Sequence, residues 1–248
     1  MSSAFEHTLA AIDALHAQDP RPTTLADGTS QPQELIYAQR MSQWLERLQE
    51  TPSELLRIAV RAQHLQRWQL PRSDYPEGRI GYLTWRRDQS AQAGDTTAAI
   101  MEEAGYSQEE AKRVASMIRK QGLGRDSDVQ ALEDCACLVF LENYFADFSR
   151  KVEHDHMVRI VQKTWGKMSP QAHALALTLP ALALTTFLFL HYIDTGGFSP
   201  HKWAGFTAAA LIAIALLALH MGMVGDMLTR HRVYLEELLY RQRERPPR

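Results

Sequence analysis

Basic and aromatic side chains crowd one stretch of this 248-residue chain, Arg61-Ala-Gln-His-Leu-Gln-Arg-Trp68. On a helix, Arg57, Arg61, His64 and Trp68 fall at i, i+4, i+7 and i+11 and form a single stripe. Guanidiniums beside an imidazole suit a phosphate or carboxylate, because arginine offers two parallel donors. Arg67 and Arg72, then Arg79, Arg86 and Arg87, extend the cationic run among Tyr75, Tyr82 and Trp85. A second cluster, Gln130-Ala-Leu-Glu133-Asp134, enters the most apolar helical segment. Asp134 lies one turn from Gln130, and a buried carboxylate needs a partner. Two readings follow. The cations and carboxylates pair with each other as structure, or they form a site. As an anion site, its contacts are Arg61, Arg67, Arg72, Arg79 and Arg86. As a hydrolytic site, His64 and Asp134 hold a divalent metal or shuttle protons, with Glu133 as acid/base. One His and one Asp are too few for a tight metal site by themselves.

Three other motifs carry less. Lys167-Met-Ser169 matches a signature of class I aminoacyl-tRNA synthetases, but that class needs an α/β nucleotide-binding fold and a second motif that are absent. His154-Asp-His156 has metal-capable side chains, yet neighbours diverge around a helix, so it reads as a solvated helix start. Cys135 and Cys137 are two apart in an apolar run, which favours neither a disulfide nor a zinc clamp. They read as small buried hydrophobes.

The elements that position these residues are helical. Apolar spacing predicts helices over residues 3–17, capped by Ser2 or Ser3, and over 33–48. A third runs from a Thr51 or Ser53 cap to about Trp68. Further helices follow over 82–104, from Ser107 to Lys120, over 129–148 and over 154–167. Asp19-Pro-Arg-Pro22 and Asp27-Gly28 predict a loop, and no stretch alternates as a strand. The expectation is an all-α class.

Charge is balanced, with 27 Lys+Arg against 29 Asp+Glu and a formal net of −2. That argues against a nucleic-acid coat, which carries a basic excess. The charge is unevenly placed, however. Stretches of about twenty residues, near 174–193 and 203–225, lack Asp, Glu, Lys and Arg entirely apart from Asp194 and Lys202 at their edges, and each suffices to cross a bilayer. Arg159, Lys163 and Lys167 precede them and Arg230, Arg232, Arg241, Arg243, Arg245 and Arg248 follow. The positive-inside rule then puts both flanks in the cytoplasm. The expected organisation is a cytoplasmic domain over 1–170, a transmembrane hairpin over 171–226 and a basic tail over 227–248. The alternative is a buried soluble hairpin, which no other segment is long enough to wrap.

Longer motifs carry a resemblance. Glu34-Leu-Ile-Tyr-Ala-Gln-Arg-Met41, Arg61 to Trp68, Pro71-Arg72, Tyr75-Pro76, Gly81-Tyr-Leu-Thr-Trp-Arg86, Gln130 to Glu142 and Lys163 to Ser169 occur in order. Together they resemble the domain-of-unknown-function 4202 family over roughly residues 3–180. The resemblance implies an α-helical, HD-like domain but supplies no activity. Such proteins carry a Phe-His pair where this chain has Gln92-Ala93, which implies loss of any metal site that used that histidine. The end of the hairpin, Gly222 to Arg230 with Glu236 to Tyr240, is weakly similar to the membrane tail of polyprenyl-phosphate glycosyltransferases. The functional expectation is a helical domain, tethered to the inner (cytoplasmic) membrane with both termini cytoplasmic, that binds an anionic, phosphate-bearing small molecule. The alternative is an HD-like metal-dependent phosphohydrolase. The lipid bilayer and a membrane protein are expected partners, and nucleic acid is not.

Overall fold

The computed structural model describes residues 3–25 and 27–243. Ser2, Arg245 and Arg248 lie outside the described residues, as do the side chains of Arg230, Arg232, Arg241 and Arg243. The chain divides into one compact unit up to Lys167 and a second from Met168 onward.

The first unit opens with α1 (Ala4–His16), whose Ser3 cap and Glu6 exchange hydrogen bonds in a capping box. The expected loop holds a short antiparallel ribbon instead, β1 (Pro22–Thr24) against β2 (Ser30–Pro32). Three-residue strands of Pro, Thr, Ser and Gln have no apolar alternation to betray them. Asp19 and Arg21 pin the ribbon to α2 (Gln33–Leu48). Arg21 holds both Asp19 oxygens at 2.9 Å and reaches Glu34 at 2.8 Å. Asp19 Oδ2 also accepts from the Glu34 backbone N–H at 3.1 Å, capping a helix whose own N-cap, Pro32, offers no side-chain bond.

Helix α3 (Glu54–Ala62) is capped by Ser53 and buries Leu56, Ile58, Ala59 and Val60. It stops six residues before Trp68, although no Pro or Gly ends it. A turn follows in which Gln66 takes φ 55°, and Arg67–Gln69 form one 3₁₀ turn. The predicted arginine–histidine stripe is therefore broken: Arg57 and Arg61 are helical and His64 is in the turn. Burial of Leu65 (1% exposed) and the hold on Arg61 described below fix this exit.

Helix α4 (Gly78–Glu103) starts one turn earlier than its periodicity predicts. Its start folds back so tightly that a Cβ on Gly81 would lie 1.9 Å from the Pro76 carbonyl oxygen, so only glycine fits. Gly94 lets the helix lie against α5 (Gln108–Ile118), where a Cβ would come 3.2 Å from the Ala115 carbonyl oxygen. Helix α6 (Ser127–Asn143) ends before the predicted residue 148. Asn143 turns its side-chain amide to the Val139 carbonyl at 3.3 Å and so competes with the helical bond. After Tyr144 come α7 (Phe145–Lys151) and α8 (His154–Trp165). The core lies where α2 packs on α3 and α6 and where α5 packs on α3 and α4. Trp44 and Met41 of α2, Leu132 and Leu138 of α6 and Met117 of α5 are fully buried there.

The second unit is a pair of helices, α9 (Pro170–Thr195) and α10 (Lys202–Arg243), packed on one another. Both are long and apolar enough to cross a membrane, over Pro170–Thr195 and Lys202–Met221. Their pattern is inverted relative to a soluble hairpin. Ala181, Ala204, Ala208 and Ala215 are buried, whereas Phe189, Leu190, Phe206, Ile214, Leu216 and Leu217 are exposed. Small residues at the helix contact and large apolar ones outside suit lipid-facing helices. The all-α expectation, a helical domain followed by an apolar two-helix hairpin, holds.

Candidate functional site

A cavity of about 500 Å³ opens in the first unit between α2, the α3 exit turn, α4, α5 and α6. Its cationic lining is Arg67, Arg86 and Lys120, its acids are Glu34 and Glu133, and His64 stands among them. A small annex of about 30 Å³ continues from it, lined by the same His64, Arg67, Arg86 and Lys120 together with Gln63 and Gln89.

Each member is placed by an element end or a helix face. Glu34 lies in the first turn of α2, 3% exposed. Burial pushes its carboxyl above the usual carboxylate range, against the pull of Arg67 and Arg21. Tyr37, one turn on, stacks on His64 with ring centroids 4.2 Å apart. His64 Nδ1 lies 3.7 Å from Glu34. Burial, reinforced by Arg67, Arg86 and Lys120, holds the imidazole far below its ordinary value, so it is neutral at pH 7 and the Glu34 contact is not an ion pair. Arg67 lies over the Trp85 ring at 5.2 Å, and Trp85 is itself anchored by donating to the Leu70 carbonyl at 2.8 Å. Lys120 leaves α5 with φ 57° and its ammonium binds Glu133 of α6. Burial raises the Glu133 carboxyl, but Lys120, helped by Lys167 at 3.5 Å, brings it below its usual value.

The charges do not cancel inside the cavity. Glu34 is satisfied by Arg21, and Glu133 by Lys120 and Lys167. Among the described residues the Arg67 side chain hydrogen-bonds only to the His64 ring, at 3.3 and 3.5 Å, besides lying over Trp85, and the Arg86 side chain has neither ion pair nor hydrogen bond. Two guanidiniums thus face the cavity with no carboxylate in ion-pair or hydrogen-bond contact, Glu34 and Glu133 acting on them only at longer range. The two non-glycine residues with positive φ among the described residues, Gln66 and Lys120, are at or beside this lining. A side chain in the left-handed region costs about 1–2 kcal/mol, and such positions cluster at functional sites.

The residues expected from sequence separate into two groups. His64, Arg67, Arg86 and Glu133 line the cavity. Arg61 does not: it holds Asp13 at 2.6 and 2.7 Å and Ser42 at 3.2 Å, tying α1, α2 and α3 together. Arg72 fastens the loop that follows it, ahead of α4, through the Tyr75 and Pro76 carbonyls, each at 2.8 Å. Arg79 is exposed and outside the lining. Asp134 is buried on α6 and accepts from Gln130 at 3.0 Å; its neighbour Glu133 is the one that faces the cavity. Of the pair expected to hold a metal, His64 lines the cavity and Asp134 does not. Among the described residues no three His, Cys, Asp or Glu side chains are grouped, and the cations around His64 oppose a metal ion. Ala93 is buried and outside the lining. His154, Asp155 and His156 are exposed at the start of α8, and Ser169 caps α9. Cys135 and Cys137 are buried free thiols; burial pushes Cys137 up to about 12.

Sequence reasoning missed Glu34, Tyr37, Lys120 and Tyr144. A carboxylate among Ile36, Met41 and Trp44 of an otherwise apolar helix face was the available signal for the first.

A family profile, described as a domain of unknown function (DUF4202), matches residues 6–186. No curated protein and no solved structure matches the chain.

Proposed function

Because the chain belongs to the DUF4202 family, whose description assigns no activity, we propose a function from the cavity itself: it binds a phosphate-bearing small molecule. The observation that carries this is the pair Arg67 and Arg86, facing about 500 Å³ with no carboxylate in ion-pair or hydrogen-bond contact among the described residues. Two forks of parallel donors match an anion with several oxygens, and a buried guanidinium gains more from such a ligand than from water. Neutral His64 adds a donor or an acceptor without adding charge. The pocket reads as a binding site, its acids being engaged by Arg21 and by Lys120.

The hairpin would tether this module to a bilayer. Arg159, Lys163 and Lys167 before it and the arginines after it favour both flanks on the cytoplasmic side, at the inner membrane. Calorimetric titration of the full chain in detergent with inorganic phosphate and ribose 5-phosphate tests the reading. Binding that weakens with salt and falls roughly 10- to 100-fold in Arg86→Ala is expected, since a hydrogen bond to a charged group contributes about 1.5–3 kcal/mol. No heat from either anion at millimolar concentration would overturn it.

A further inference from the structure

We infer that the ligand is a nucleotide-like phosphate monoester, its phosphate on Arg67 and Arg86 and a planar heteroaromatic ring against the cavity's far wall; this rests on the anion-binding reading above. Size comes first. A cavity of about 500 Å³ falls in the range that encloses an organic ligand of drug-like size, far more than a phosphate group fills.

The lining is also polarised. Arg67, Arg86, Lys120 and His64 line both the cavity and its annex, whereas Phe140, Tyr144 and Phe148 line the main cavity alone. The annex side is therefore cationic, and the main cavity beyond it carries the aromatic rings together with Glu34 and Glu133. Tyr37 already has a ring stacked on it, that of His64, and Phe140 meets Phe145 and Phe148 edge-on. Tyr144, with Arg40 over its ring at 5.6 Å and Tyr37 tilted beside it at 6.3 Å, and Phe148, edge-on to Phe140, are the remaining rings of this wall. Aliphatic lining is sparse, Ala136 and Ile160, so a planar ring suits this wall better than an alkyl chain.

One amide is placed to read a ring edge, that of Gln33, which lines the main cavity alone, whereas Gln63 also lines the annex and belongs to the phosphate end. Gln63 spends its carbonyl on the Tyr37 hydroxyl at 3.4 Å and keeps its NH₂. The Gln33 side chain, in the cavity lining, has no hydrogen bond among the described residues. A glutamine amide presents a donor and an acceptor side by side, the pattern that matches a heterocycle's edge.

The test is calorimetric titration of the full chain in detergent with adenosine 5′-monophosphate, ribose 5-phosphate, adenosine and hexyl phosphate. The mononucleotide should bind at least about tenfold more tightly than ribose 5-phosphate, the increment that stacking of one base supplies. Tyr144→Leu and Phe148→Leu, made separately, should bring the mononucleotide toward ribose 5-phosphate and leave the sugar phosphate unchanged. Arg86→Ala should weaken both. Equal binding of mononucleotide and ribose 5-phosphate, or tighter binding of hexyl phosphate, would overturn the nucleotide class while the anion site stands. Absence of binding by all four would overturn both.

Discussion

Arg61 and Arg86 have the same side chain and opposite employment. Arg61 is clamped by both oxygens of Asp13 and by Ser42, and its own carbonyl accepts from buried His16 at 2.9 Å. Arg61→Ala should therefore lower unfolding free energy by about 2 kcal/mol, the scale of charge-assisted hydrogen bonds, with phosphate affinity unchanged. Arg86→Ala should do the reverse. Denaturant unfolding and titration of both variants separate the roles, and a loss of affinity in Arg61→Ala at unchanged stability would reverse the assignment. Two histidines, His16 buried and His64 half-buried, set a pH dependence. Burial lowers His16, and burial with Arg67 lowers His64, so the folded state disfavours their protonation. The unfolded chain then binds more protons, and stability present above about pH 6.5 is lost as pH falls through that value. At pH 6 the ceiling is about 0.8 kcal/mol for each histidine. Thermal melts should shift downward between pH 7.5 and 6, and His64→Gln should remove about half of the shift. Glu34, raised by burial, works in the opposite direction and would blunt the shift. A Tm independent of pH across this window would mean that neither histidine is held neutral.

At the scale of elements, the exit from α3 decides the site. Helical periodicity through Arg57, Arg61 and His64 is real in the residue pattern, and α3 follows it as far as Ala62. Beyond that point Leu65 must reach the core and Gln66 adopts φ 55°, which swings His64 and Arg67 into the cavity. Neither requirement leaves a mark in residue type, because no Gly or Pro announces the turn. Helices with their own caps were legible: Ser3, Ser53 and Ser107 each accept from the backbone three residues on. The ribbon and the break at Tyr144 were not, since one depends on Asp19 and Arg21 gripping Glu34 and the other on Asn143 reaching back to Val139. The same holds for the site. His64, Arg67, Arg86 and Glu133 were legible as charged residues in dense motifs, but Lys120 joins them only through the packing of α5 on its neighbours. The left-handed Gln66 gives this a test. Gln66→Gly removes a strain of about 1 kcal/mol but adds freedom to the unfolded chain, so stability should change by less than about 1 kcal/mol. Affinity for ribose 5-phosphate should fall, because the turn holding His64 and Arg67 loosens. Stability and affinity rising together would show that the turn is not what orders the site.

For the whole molecule, the two compact units make different demands on solvent. The first buries its large apolar side chains, among them Trp44, Met41 and Leu132, and its cavity is lined entirely by residues before Lys167. The second does the opposite, burying alanines and leaving Phe189, Leu190, Phe206 and Leu216 uncovered. Each such side chain left in water forgoes about 1.5–3 kcal/mol of burial, and a contiguous set of them is not sustained by a soluble monomer. A bilayer removes the cost for all of them at once. The full chain should therefore remain in the membrane pellet after alkaline carbonate washing. A chain ending at Lys167 should move to the soluble fraction, unfold in one cooperative transition and keep the affinity of the full chain for ribose 5-phosphate. Carbonate release of the full chain would show that the alanine contact is a soluble hairpin. A truncated chain that is soluble and cooperative but no longer binds would show instead that the hairpin, or the membrane it enters, helps to shape the cavity.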